Sequence, residues 1–124
     1  MLRLPGSVRI FLCTRPVDMR LSFDRLAMLA EHVLEESSCS GHLFVFFNRR
    51  SDRVKILYWD RDGYAIHYKR LEQGTYALPE AEGPRVEMSE AELGMILGGI
   101  DWKRTRKRKR YEKGASGGKR AIVI

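Results

Sequence analysis

A chain of 124 residues, 44% of them hydrophobic, suits one compact domain with an ordinary core and is short for two. The net charge of +7 is uneven: ten of the 23 Lys and Arg but one of the 16 acids lie from Lys103 onward, so the tail carries +9 and the body −2. That distribution favours polyanionic partners met through the tail, and no run approaches the ~20 apolar residues of a membrane span.

The N-terminal stretch MLRLPGSVRIFLC lacks the length and cleavage pattern of a signal peptide. Cys13 and Cys39 are far apart and match no metal spacing, which predicts reduced, partly buried thiols in a cytoplasmic protein. Val8 to Cys13 is β-branched and aromatic and predicts a first strand, broken at Thr14-Arg15-Pro16. Asp18 is placed to open a helix that runs to about Glu36, with Met19, Phe23, Leu26, Ala30 and Val33 on one apolar face. His42 to Asn48 is a nearly continuous apolar run, as in a strand covered on both faces. Arg53 to Trp59 and Tyr64 to Leu71 alternate, each following a charged turn, Arg49-Arg50-Ser51-Asp52 and Asp60-Arg61-Asp62-Gly63, with Gly63 free to take positive φ. Short turns between consecutive strands force antiparallel pairing. Thr75 to Leu78 is a possible further strand, and Arg85 to Met88 is extended. Ser89 with Glu92 has the capping-box form and opens a short helix with Leu93, Ile96 and Leu97 inward, closed by Gly98-Gly99. The expected architecture is α+β: an antiparallel β-meander sheet of four or more strands, one long packed helix and a short C-terminal helix. A single domain spans 1–102, and 103–124 is a basic tail expected to be disordered when free.

The acids supply no catalytic constellation. Asp52 lies at the opposite end of the middle strand from Asp60 and Asp62, and Asp-x-Asp-Gly is ordinary turn chemistry before it is a cation site. His32, His42 and His67 have no zinc spacing. Ser22 and Ser89 read as helix starts, and Gly98-Gly99 follows a helix rather than opening one onto a phosphate. The sequence therefore predicts no enzyme, no metal and no cofactor. It offers cations instead. Arg49, Arg50 and Arg53 cluster at one turn beside Asn48. Lys55, Lys69 and Arg70 interleave with aromatics, of which Trp59, sharing a face with Lys55, is the best placed for contact. In the tail, Lys103, Arg104, Arg106, Lys107, Arg108, Lys109 and Arg110 can release counterions from phosphates without reading sequence.

The block HLFVFFNRRSDRVKILYWDRDGYAIHYKRLEQG, with RPVDMR upstream and GGIDW downstream, resembles the accessory proteins encoded by the second reading frame of insertion sequences of the sixty-six family, labelled TnpB. The label is shared with RNA-guided nucleases, which this chain does not resemble. The resemblance covers roughly Val8 to Trp102. It implies a role in DNA transposition beside a separate, larger transposase that carries the cutting and joining chemistry. Its signature falls here on Asp18, Met19, Arg20, Asn48, Arg49, Arg50, Asp52, Arg53, Lys55, Trp59, Asp60, Asp62, Gly63, Tyr68, Lys69, Arg70, Leu71 and Trp102. Leu21 and Arg25 depart from the family pattern.

Two readings follow. In the first, the Asn48–Arg53 turn and the Lys69-Arg70 strand end form a fixed positive site for DNA, and the tail adds sequence-independent affinity. In the second, the turn docks on acidic side chains of the transposase and only the tail touches nucleic acid.

Overall fold

The structure, a computed structural model, describes residues 7–98. In chain order the elements are β1 (Ile10–Cys13), α1 (Phe23–His32), β2 (Leu43–Phe47), β3 (Arg53–Asp60), β4 (Gly63–Arg70), β5 (Arg85–Met88) and α2 (Glu90–Leu97). The strands form one sheet in the order β4-β3-β2-β1-β5.

The meander is as expected. β2 pairs antiparallel with β3 (Val45 opposite Ile56), and β3 with β4 (Leu57 opposite Ile66). The sheet is not wholly antiparallel, however. β1 runs parallel to β2, with Phe11 beside Phe44, because α1 carries the chain back across the sheet before β2 begins. β5 then closes the other side of β1, antiparallel, with Phe11 opposite Glu87.

Side-chain alternation divides the core in two. Ile10, Leu12, Val45, Phe47, Val54 and Ile56 face α2, whose Leu93, Ile96 and Leu97 are buried among them. Phe11, Phe44, Phe46 and Leu57 face α1 and meet Leu26, Ala27, Ala30 and Leu34. A sheet covered on both faces explains why β2 reads as an unbroken apolar run. α2 begins as predicted: Ser89 Oγ accepts from the Glu92 N–H at 3.1 Å, and the Glu92 carboxylate accepts from the Ser89 N–H at 2.8 Å. Its C-cap is Gly98.

Three local expectations give way. The helix predicted from Asp18 to Glu36 is shorter. Its N-cap is Ser22, because Asp18 spends its carboxylate on Arg20 in the preceding loop. At the other end the Leu34 N–H reaches back to the Leu29 carbonyl and the Glu36 N–H to Ala30, while Glu35 at φ 59° turns the chain away. In the β3–β4 turn the positive φ falls on Arg61 (60°), and Gly63 is a strand residue paired with Asp60. Thr75 to Leu78 forms no strand. Its Tyr76 instead donates its N–H to the Ser51 carbonyl at 2.7 Å and lays its ring edge-on to Phe47. Burial pushes the Tyr76 phenol up to about 12. Of the two thiols, Cys13 is buried and Cys39 exposed.

Candidate functional site

The β2–β3 turn is held from inside by Asn48. Its Oδ1 accepts from the N–H groups of Asp52 (3.0 Å) and Arg53 (2.9 Å), and its Nδ2 donates to Asp52 Oδ1 at 2.6 Å. Ser51, at φ 59°, returns its N–H to the Asn48 carbonyl. The bond from Asn48, helped by the nearby Arg50 and Arg53 charges, holds the Asp52 carboxyl below the usual range. The acid of the turn is thereby engaged in the scaffold, and the turn's arginines make no more than a loose ion pair with it. Arg49 is exposed and makes no hydrogen bond or ion pair among the described residues. The Arg50 side chain is 84% exposed, with Nε 3.9 Å from Asp52, a loose pairing. Arg53 is half-buried and donates to the Tyr68 hydroxyl at 3.0 Å.

A second segment, the β1–α1 loop, is drawn against this turn. The Val17 N–H bonds the Phe47 carbonyl at 2.8 Å. Asp18 then accepts from the Arg20 backbone N–H (2.8 Å) and from its guanidinium Nη2 (2.7 Å), which lowers the Asp18 carboxyl to about 2. Lys55 fixes the next residues. Its ammonium donates to the carbonyls of Met19 and Leu21, both at 2.7 Å, and lies 4.6 Å from the centre of the Tyr68 ring. Between loop and turn lies an open cleft of about 540 Å³, lined by Pro16–Arg20, Asn48, Arg49, Arg50, Asp52 and Arg53. The segments RPVDMR and NRRSDR, remote in sequence, are its two walls. Four guanidinium groups face two carboxylates, and both carboxylates already have donors.

The structure sorts the candidate residues. Arg49, Arg50 and Arg53 are together at the cleft. Arg70 lies at the same end of the sheet, opposite Arg53, its charge shared with Glu72 at 2.9 Å. Lys69 is beside it, half-buried and engaged with its own surroundings. Lys55 is not a surface cation: it is 8% exposed, and its alternation with apolar neighbours follows from a face that packs under the β1–α1 loop. Trp59 belongs to the other end of β3, ~20 Å away at strand rise, where it meets Tyr64 edge-on at 5.0 Å. Trp102, Lys103, Arg104, Arg106, Lys107, Arg108, Lys109 and Arg110 lie outside the described residues. Sequence reasoning missed the Asp18–Arg20 pair as part of the site. The signal was present in RPVDMR, but Asp18 also fits a helix start. Among the described residues no group of three or more His, Cys, Asp or Glu side chains could hold a metal ion, and no helix is long and apolar enough to cross a membrane.

An α+β domain with a basic cleft at one sheet end, built from those two motifs, is the class in view. Residues 8–107 match the family model described as IS66 Orf2 like protein, and the chain belongs to that family, which is associated with transposition. Two curated relatives come from Sinorhizobium fredii. The uncharacterized protein y4hO is 37% identical over 97 residues, covering 78% of this chain and 84% of that protein. The uncharacterized protein y4jC is 33% identical over 101 residues, covering 82% and 86%. No solved structure matches the chain.

Proposed function

We propose that this chain is a non-catalytic accessory protein of DNA transposition whose cleft binds the phosphate backbone of DNA beside a separate transposase. The observation that carries this reading is the division of labour in the turn: Asn48 and Asp52 satisfy one another, leaving Arg49 and Arg50 exposed on a fixed support. A guanidinium presented this way loses little conformational freedom when it meets a phosphate, and its planar fork suits two oxygens at once. Arg20, oriented by Asp18, faces the same cleft. Lys55 and Trp59 drop out of the contact set, one by burial and one by distance. The basic residues from Lys103 to Arg110 add phosphate affinity that is indifferent to sequence.

The test is the double variant Arg49→Ala with Arg50→Ala, titrated against duplex DNA at several salt concentrations. Two lost phosphate contacts should flatten the slope of log K against log salt by about 2. The melting temperature should move by no more than about 2 °C, since both side chains are exposed. An unchanged slope would assign the turn to a protein partner. Removing residues 103–124 separates the same two readings, because the cleft alone then has to supply any salt-dependent binding.

A further inference from the structure

We infer that the free edge of β4 is a self-association surface, on which a second copy of this chain adds its own β4 antiparallel across a two-fold axis at Ile66. The inference is independent of any nucleic-acid contact. β4 ends the sheet and has a strand on one side only. Which of its backbone groups are free follows from the pairing. The Leu71 N–H bonds the Asp52 carbonyl at 2.8 Å, so residues whose numbers sum with β3 partners as this pair does exchange hydrogen bonds at every second position. Lys69, His67, Ala65 and Gly63 therefore bond inward to Val54, Ile56, Tyr58 and Asp60. Tyr64, Ile66, Tyr68 and Arg70 direct their N–H and carbonyl groups outward, where no other backbone group of the described residues meets them.

The two sheet edges differ. β5, at the far side, is four residues long and carries Arg85 and Glu87, the short and charged form that discourages strand addition. β4 is eight residues long, and from Gly63 to Tyr68 it reads GYAIHY, with no Lys, Arg, Asp, Glu or Pro. Tyr68 is 47% exposed, one of three large apolar side chains so placed among the described residues. The charges of this strand, Lys69 and Arg70, are confined to its last two positions, so the six residues before them present an edge without a charge or a proline to keep another strand away.

The edge also complements itself. With the axis at Ile66, the outward-facing residues pair as Ile66 with Ile66 and Tyr64 with Tyr68, and Arg70, which shares its charge with Glu72, comes beside Asp62 in the β3–β4 turn of the second copy, the last two twice by symmetry. These are an apolar pair, two aromatic pairs and two opposite-charge pairs, the combinations that stabilise antiparallel neighbours. An axis two-fold at His67 sets Arg70 against Tyr64 and loses the charge pair; one at Ala65 sets Tyr68 against Asp62. Only the Ile66 axis matches all three. The product is an isologous dimer with one continuous sheet and no β4 edge left open, and both α1 helices lie on the face that carries Tyr64 and Tyr68.

Sedimentation of the full chain without DNA tests this across two decades of concentration. A monomer–dimer equilibrium is expected. Tyr68→Lys, which brings a charge to an exposed site, should weaken it at least tenfold. Arg70→Asp and Asp62→Arg should each weaken it by roughly tenfold, since each sets like charges against one another twice, and the two together should restore it to within about threefold. Circular dichroism of each variant confirms that the fold is kept. Residue-resolved amide exchange adds a second readout: the N–H groups of Tyr64, Ile66 and Tyr68 should become slow only where the dimer forms, while those of Ala65, His67 and Lys69 are slow throughout. A chain that stays monomeric at the highest concentration overturns the inference. So does a dimer in which the three outward amides still exchange fast, or one whose charge-reversed pair is not rescued.

Discussion

Lys55→Met separates a structural lysine from a DNA-binding one. Met keeps most of the apolar stem that crosses the sheet face, so the change removes chiefly the ammonium. Two hydrogen bonds from a charged donor to carbonyls, each 2.7 Å, are lost, as is the contact with the Tyr68 ring. Bonds of that type contribute ~1.5–3 kcal/mol each, and the ring contact about 1 kcal/mol. Against them stands the cost of burying an ammonium, several kcal/mol, which Met does not incur. We expect a net loss of about 2–3 kcal/mol, because the carbonyls of Met19 and Leu21 are also left without their donor. In a domain of this size that lowers the melting temperature by roughly 10–20 °C. The assay is thermal unfolding followed by circular dichroism, run beside a DNA titration of the variant at a temperature where it is folded. The salt slope should not change. If the melting temperature moves by less than about 2 °C while the salt slope flattens by about 1, Lys55 is a phosphate contact and the packing argument is wrong.

Two further outcomes follow from the same contacts. Asn48→Ala removes one side chain from three turn bonds and leaves the Asp52 carboxylate without its amide donor; a loss of about 1–3 kcal/mol in urea unfolding is expected, and weaker DNA binding should accompany it even though Asn48 carries no charge. Asp18, lowered from 3.8 to about 2 mainly by its hydrogen bonds from Arg20, contributes stability that is fully present above its ordinary value and is lost as pH falls through its folded one. Between pH 4 and 2 the urea midpoint of Asp18→Asn should therefore fall less steeply than that of the native chain, and parallel curves would remove the Arg20 pairing from the account.

The meander was legible because three signals agreed over one stretch: period-two alternation from Arg53 to Trp59 and from Tyr64 to Leu71, and charged turns beside them. α2 was legible from Ser89 and Glu92 for the same reason, since a capping box is a local event. What sequence could not supply was the neighbour of β1. IFLC reads as a strand wherever it is put, and only α1's path across the sheet decides that it lies parallel to β2. The start of α1 was misjudged because Asp18 has two uses, and the competing one needs Arg20 to fold back onto it. Lys55 was misjudged because alternation assigns a face, not what covers it: Met19 and Leu21 come from a loop that strand periodicity does not see. The arginines of the cleft were legible as a cluster, but their meeting with RPVDMR depends on long-range bonds, from the Val17 N–H to Phe47 and from Lys55 to the Met19 carbonyl, that no local pattern encodes.

The placement of β1 has a consequence for how the chain is made. This strand is made before the rest of its sheet, yet one of its two neighbours, β5, comes 72 residues after its last position, with Arg85 paired to Cys13. Until then Ile10, Phe11 and Leu12 can bond on one side only, while the local hairpins of β2, β3 and β4 are already closing. A nascent chain halted before Arg85 carries an unfinished sheet with a greasy strand at its margin, and that intermediate is the one a chaperone has most reason to meet.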